Sequence, residues 1–178
     1  VMGDISGHDS SVLAISALKG ALLAAGSEDV TYVNAPGLAA ERGVTSNVST
    51  TPDSPEYRSM ISLHLALSNG KSIKVDGTLM GIRKVEKIIA IDAFDLDLPP
   101  TENMLFLGYA DRPGVVGAVG NALGAAKINI AGMQVARQAQ GGSALMAITV
   151  DSTVTESVAA AVAKEIGADL VRSVSLVG

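Results

Sequence analysis

The sequence contains no cysteine, no tryptophan and few aromatic residues of any kind. Aromatic side chains make up 3% of its 178 residues. Without cysteine the chain can form no disulfide, perform no thiol catalysis and bind no zinc ion or iron–sulfur cluster through thiolates. Single-stranded nucleic acids stack on aromatic rings, so the shortage of rings argues against that class of ligand. The hydrophobic core must be built mainly from Val, Ile, Leu and Ala.

An excess of positive charge is also absent. The formal net charge is −5, with 8 basic and 12 acidic side chains in residues 1–98 and 5 and 6 in residues 99–178. Neither half offers the basic surface that a nucleic acid or an anionic membrane would need. Long apolar runs are missing, and the opening residues, VMGDISGHDSS, do not have the form of a signal peptide. We expect a cytoplasmic chain, without nucleic-acid or membrane partners, that begins inside a longer polypeptide.

Few residues could carry chemistry by themselves. The two histidines, His8 and His64, are far apart in the sequence, and no His, Asp and Glu have the spacing of a metal site. The glycine-rich segment 114–126 has no Walker lysine, and the acidic residue of a dinucleotide site is missing about twenty positions further on. We therefore expect no catalytic site, no metal and no cofactor in this chain.

The first 98 residues predict a mixture of helices and strands. The predicted elements are a strand at 1–5, a helix at 11–25 capped by Ser10 or Ser11, a helix at 36–42, and strands at 44–51, 57–67, 73–79 and 87–91. Asn69-Gly70 is typical of a tight turn between two strands. Pro99-Pro100 forces an extended linker, which places a domain boundary at residues 98–102.

Residues 103–178 predict a second domain of alternating strands and helices. The expected order is strand 103–110, helix 114–126, strand 129–138, a turn at 140–142, strand 144–150, helix 154–166 and strand 169–176. This βαββαβ order predicts a four-stranded antiparallel sheet with both helices on one face, the ferredoxin-like arrangement. The whole chain is therefore predicted to be α+β, with domains at 1–98 and 103–178.

The turn before the helix at 114–126 is the strongest candidate for a binding site. Pro113 suits the first helical position and Asp111 can cap the helix. The free amides of Gly114, Val115 and Val116 would attract a carboxylate or a phosphate, whereas Asp111 would attract an ammonium. A small zwitterion is the ligand that needs both, although an Asp before such a turn is most often only a helix cap.

The segment GYADRPGVVGAVGNALGAAKINI resembles the opening of an ACT domain, whose features are an Asp-Arg-Pro-Gly turn and, about eighteen residues later, an Asn-Ile strand. The resemblance implies a receptor for a free amino acid. It also implies that two ACT units pair and share the ligand, with Asn129 of one reaching the turn of the other. The implied ligand-binding residues are Tyr109, Asp111, Arg112, Pro113, Gly114, Val115, Val116, Asn129 and Ile130.

The segment SALKGALLAAGSEDVTYVNAPGLAAERGV, with the later GTLMG turn, is similar to the intervening domain of the long-form D-3-phosphoglycerate dehydrogenase family. The resemblance implies the regulatory half of an NAD-dependent enzyme of serine biosynthesis that binds L-serine, forms a homodimer or tetramer and adjoins catalytic domains absent from this chain. NAD would belong to the parent enzyme alone. A regulatory portion of an iron–sulfur L-serine dehydratase and a purely structural oligomerisation module are the alternatives.

The resemblance also implies a possible anion site, because the intervening domain of some members of the dehydrogenase family looks like an anion site built from several basic residues. Lys87 corresponds to one such position, with Arg83 and Lys84 nearby. The following segment, IDAFDLDL, supplies acidic residues where basic ones would be wanted. We therefore expect phosphate or 3-phosphoglycerate to bind weakly if at all.

Overall fold

The structure, a computed structural model, describes residues 1–176. Its internal contacts divide the chain into two compact units, the first ending at Leu65 and the second beginning at Ala66. The architecture is mixed α+β, as the sequence predicts. The domain boundary at residues 98–102 stays a prediction, and the strands just before it belong to the same compact unit as those after it.

The first unit combines two helices with a short strand pair. Its elements in chain order are β1 (Met2–Gly3), a 3-10 helix (Asp4–Gly7), α1 (Ser11–Ala24), α2 (Ala35–Glu41) and β2 (Ser59–Ala66, which ends at the boundary). β1 and β2 pair antiparallel. Leu22 of α1 packs with Val30 and with Ala35 and Ala39 of α2 in a small buried core. Both predicted helices are confirmed.

The first backbone amide of α1 donates its hydrogen bond to a residue other than the predicted serine caps. Ser10 occupies the N-cap position but its hydroxyl makes no capping hydrogen bond. The Ser11 amide donates instead to Asp9 Oδ1 over 2.9 Å, as in an Asx-turn. This hydrogen bond, with a second from the Ser11 hydroxyl, lowers the pKa of Asp9 below its ordinary value. The prediction of a serine cap was therefore wrong.

The predicted strand at 44–51 was also wrong. Residues 44–50 have no regular secondary structure, and Val44 and Val48 are exposed. Only Thr51 forms a bridge, parallel to Met2. Alternating apolar and polar residues favour a strand only where another strand supplies hydrogen bonds. This segment pairs with another strand only at its last residue. The predicted strand at 1–5 is likewise reduced to β1.

The second unit opens with an antiparallel meander. Its strands are β3 (Ser72–Met80), β4 (Val85–Ile91) and β5 (Phe94–Leu98), each paired with the next. The predicted turn at Asn69-Gly70 is confirmed, since the Leu67 amide donates to the Lys71 carbonyl over 2.8 Å and Gly70 has a φ of +79°. The sequence predicted β3 and β4 but missed β5, because its short FDLDL segment precedes two prolines.

The remainder of the second unit has the ferredoxin-like fold that the sequence predicts. Its elements are β6 (Asn103–Ala110), α3 (Val115–Ala125), β7 (Ile130–Arg137), β8 (Ser143–Val150), α4 (Glu156–Ile166) and β9 (Leu170–Ser175). The antiparallel sheet has the strand order β7-β8-β6-β9. Leu105 and Leu107 of β6 pack with Val119 and Leu123 of α3 and with Val162 of α4. These five side chains are all fully buried, so this helix-covered face holds the main core.

The other face of this sheet is partly covered by β5. Leu96 and Leu98 of β5 pack with Phe106 of β6 in a separate buried cluster. The Asp97 amide also donates to Gln134 Oε1 of β7 over 2.8 Å. β7 therefore has β5 against one of its faces, while the alternate side chains of β7 point to the helix side, as the two-residue period of a strand requires.

Candidate functional site

The start of α3 differs in detail from the prediction. Gly114 is the N-cap, with a φ of +90° that favours glycine, and the helix begins at Val115. Pro113 thus precedes the cap and does not occupy the first helical position. No side chain caps the helix, so Asp111 is not its cap. The first helical hydrogen bond joins the Ala118 amide to the Gly114 carbonyl, which leaves the amides of the first turn without a capping side chain.

Asp111 is held instead by the end of β7 and by the turn that follows it. Its Oδ2 accepts hydrogen bonds from Arg137 Nη1 at 3.3 Å and from the Gly141 amide at 3.4 Å. Its own amide donates to the Gly142 carbonyl over 2.8 Å. The Asp111 side chain is 17% exposed and that of Arg137 is 56% exposed. Asp111 is thus a hydrogen-bonded, partly accessible carboxylate with a more exposed cation beside it.

The turn and the neighbouring end of β7 line an open pocket of about 340 Å³, a volume suited to a small molecule. The lining residues are Tyr109, Asp111, Arg112, Pro113, Gly114, Val115, Val116, Val135 and Arg137. Seven of the nine residues implied by the resemblance are therefore brought together. Val135 and Arg137 were missed, although the two-residue period of a strand places these two β7 side chains on one face.

The Tyr109 hydroxyl stays protonated over a wide pH range. Burial raises the pKa of Tyr109 above its ordinary value of 10.0, and the charge of Asp111 raises it further, while Arg137 acts in the opposite direction. Removing a phenolate from water is costly, so the neutral form is favoured. Tyr109 therefore lines the pocket as an uncharged side chain at neutral pH.

Arg112 contacts another element besides lining the pocket. Its Nη2 donates to the carbonyl of Ile166 over 2.7 Å. Ile166 is the last residue of α4, and Gly167 ends that helix in the left-handed conformation. The carbonyls at a helix C-terminus attract a cation. Arg112 thus connects the turn before α3 to the end of α4, which is a structural role that the sequence did not predict.

Asn129 and Ile130 lie outside the pocket of their own chain. Asn129 Nδ2 donates to Asp151 Oδ2 over 2.7 Å, and the Asp151 amide donates to the Asn129 carbonyl over 3.2 Å. Ile130 is half-buried against the main core. Neither side chain lines the pocket that contains Asp111.

Of the three basic residues considered for anion binding, Lys87 is paired with a carboxylate and the other two lie in a turn. Lys87 Nζ lies 2.7 Å from Asp97 Oδ1 and is thereby paired. Arg83 and Lys84 are in the turn between β3 and β4, where Lys84 has a φ of +51°. Both His8 and His64 are exposed. Within residues 1–176 no group of three or more His, Asp or Glu side chains could hold a metal ion.

None of the helices described is both long enough and apolar enough to cross a membrane.

Comparison with known proteins gives matches along the whole chain. Residues 1–92 match the D-3-phosphoglycerate dehydrogenase intervening domain, and residues 103–167 match the ACT domain. D-3-phosphoglycerate dehydrogenase of Mycobacterium leprae is 34% identical over 99% of this chain and 33% of its own length. That of Mycobacterium tuberculosis is 36% identical over 94% and 32%, and that of Bacillus subtilis 32% identical over 84% and 28%.

The chain thus spans about a third of the length of the curated relatives it matches. Its two matched segments follow one another in the predicted order, and the second covers the ferredoxin-like part of the fold except its last strand, β9. The chain belongs to the D-3-phosphoglycerate dehydrogenase family, of which it carries the intervening domain and the regulatory ACT domain.

Proposed function

We propose that this chain is the regulatory portion of a cytoplasmic, NAD-dependent D-3-phosphoglycerate dehydrogenase, and that its ACT pocket binds L-serine. The parent enzyme would oxidise 3-phosphoglycerate to 3-phosphohydroxypyruvate at the entry to serine biosynthesis. The chain itself would contribute neither the catalytic groups nor the NAD site. Serine, as the end product, would bind here and restrain the catalytic domains of the parent.

The observation that carries this proposal is the composition of the pocket at the start of α3. Asp111 supplies a fixed carboxylate for the ammonium of an amino acid. Val115 and Val116 line the same pocket, and their amides, in the first turn of α3, would donate to its carboxylate. Serine has about seven non-hydrogen atoms, so a ceiling of ~1.5 kcal/mol per atom limits its binding free energy to ~10 kcal/mol. An affinity in the micromolar range satisfies that limit.

Calorimetric titration of the 178-residue chain with L-serine tests the proposal. We expect saturable binding that Asp111→Asn abolishes, because the substitution keeps the shape of the side chain but removes the charge that holds the ammonium. Asp95→Asn is the matched control, since Asp95 is an exposed residue of β5 and loses the same charge. Unchanged serine affinity in the Asp111 variant would refute the site.

Self-association through the ACT domain is part of the same proposal. α3 buries Val115, Val119 and Leu123, while Cβ atoms added at Gly117 or Gly124 would meet no atom of another element within 4 Å among residues 1–176. This open, small-residue surface allows a second backbone to approach closely. We propose that Asn129, which lies outside its own pocket, reaches the pocket of the second copy.

Serine would then stabilise the dimer as well as the fold, by ~2.7 kcal/mol per site at a hundredfold excess over Kd. Sedimentation equilibrium with and without serine measures this effect. We expect the dimer dissociation constant to fall when serine is added and Asn129→Ala to weaken the response. A chain that stays monomeric at micromolar concentration while binding one serine would show that each ACT domain holds its ligand alone.

A further inference from the structure

The pocket wall carries two opposite charges side by side. Asp111 Oδ2 and Arg137 Nη1 are 3.3 Å apart, and both residues line the pocket. In a free α-amino acid the ammonium nitrogen and the carboxylate carbon are separated by about 2.5 Å, as standard bond lengths and angles require. Because a zwitterion carries its two charges this close together, a neighbouring carboxylate and guanidinium can each face its opposite charge once they have moved apart to admit it.

We propose that Arg137 binds the α-carboxylate of the amino acid whose ammonium is held by Asp111, and so makes the pocket selective for free α-amino acids over amines and amino-acid amides. This inference rests on the function proposed above. The ligand would insert between the two side chains and exchange their mutual contact for one contact with each. The pair opens on binding and closes when the ligand leaves.

The exposures of the two side chains indicate which of them moves. Asp111 is fixed by its backbone bond to Gly142 and by the Gly141 amide on its carboxylate. Arg137 extends from the last position of β7 and is 56% exposed. Its long side chain can swing away without disturbing the sheet, because exposed arginine keeps most of its rotamer freedom. Arg137 therefore makes room, and Asp111 stays in place.

The exchange of the Asp111–Arg137 contact for two contacts with the ligand should give a net gain in binding affinity. An ion pair as exposed as Asp111–Arg137 changes an equilibrium by no more than about fivefold. A guanidinium that meets a carboxylate in a pocket can donate two parallel hydrogen bonds, which are worth about 10- to 100-fold in affinity. Main-chain amides at the start of α3 add weaker, neutral donors. Removal of Arg137 should thus lower the affinity for serine, although it also frees Asp111.

Titration of two ligands into two proteins tests the inference. L-serine and L-serinamide share the ammonium and the hydroxyl, and only serine has the carboxylate; at about pH 6 both amines are protonated. The proteins are the 178-residue chain and its Arg137→Gln variant. We expect the substitution to weaken serine binding 10- to 100-fold and to bring the two ligands to within about threefold of each other. Arg137→Lys should keep part of the preference for serine, because a single charge remains.

The matched control is Arg172→Gln. Arg172 is an exposed arginine of β9 that lies outside the pocket and whose Nη1 donates to the carbonyl of the preceding residue, so its removal should leave both affinities unchanged. If Arg137→Gln binds serine as tightly as the unaltered chain or more tightly, Arg137 is only a counter-ion and this inference is refuted, while the proposed function stands. If the unaltered chain fails to bind serine, the proposed function fails and the inference fails with it.

Discussion

Replacing Arg112 by Ala should destabilise the second unit and leave the proposed serine binding in place. The guanidinium donates over 2.7 Å to the carbonyl of Ile166, which is 54 positions away in the sequence. A hydrogen bond from a charged donor contributes about 1.5–3 kcal/mol, and a cation at a helix C-terminus adds about 0.3–1 kcal/mol. The contact is only partly buried, so water replaces part of both effects. We expect a net loss of about 1–2 kcal/mol in the free energy of unfolding.

A loss of that size corresponds to about 4–8 °C in the melting temperature for a unit of this size. Urea unfolding followed by circular dichroism measures it, and calorimetry on the same variant measures serine affinity. Arg172→Ala is the matched control, since Arg172 is exposed and its 2.7 Å hydrogen bond goes to the carbonyl of its sequence neighbour. The control should change stability by less than about 0.5 kcal/mol.

The outcome distinguishes two roles for the same residue. The family resemblance implies that Arg112 contacts the ligand, whereas the structure directs its guanidinium to the end of α4. Stability lost with serine affinity kept within a few fold supports the structural role. Stability unchanged with serine binding abolished would refute it.

Three further predictions concern the core, the pocket and the anion site. Leu123→Ala should cost about 2–5 kcal/mol of unfolding free energy, because Leu123 is fully buried. Val116→Ala, on the exposed side of the same helix, should cost far less. Denaturation of both variants checks the difference. Since the pKa of Tyr109 is raised in the folded chain, the stability due to this shift is fully present below pH ~10 and is lost as the pH rises through the folded value. Tyr109→Phe should therefore reduce the loss of stability at alkaline pH. An unchanged profile of unfolding free energy against pH would contradict the assignment. The pairing of Lys87 with Asp97 predicts that 3-phosphoglycerate binds weakly if at all, and saturable micromolar binding that Lys87→Ala abolishes would show this to be wrong.

The parts of the site that the sequence predicted share one property. Tyr109, Asp111 and Gly114 lie within six consecutive residues, and the strand, turn and helix that place them are signalled by apolar spacing and by an Asp-Arg-Pro-Gly turn. Local signals of this kind act over a few residues and are visible in the chain itself. The ferredoxin-like order of elements followed from the same signals, and the structure confirms it.

The residues that the sequence missed depend on distant partners. Arg137 is 26 positions from Asp111, and it enters the pocket only because β8 pairs with both β6 and β7 and so brings the two residues to one end of the sheet. The role of Arg112 requires the end of α4 to lie beside the turn. The predicted strand at 44–51 does not form, because its alternating apolar and polar residues have no strand to pair with over most of the segment.

The sequence by itself determined which segments form helices and strands in the ACT domain, the order in which they pack and the turn that places a carboxylate beside a helix start. The tertiary structure alone decided which side chains face that carboxylate, what covers the far side of the sheet and whether a strand-like segment pairs. The physical reason is that backbone preferences and hydrophobic period are local properties, whereas hydrogen bonds and ion pairs between elements exist only once the chain has brought their partners within about 3 Å.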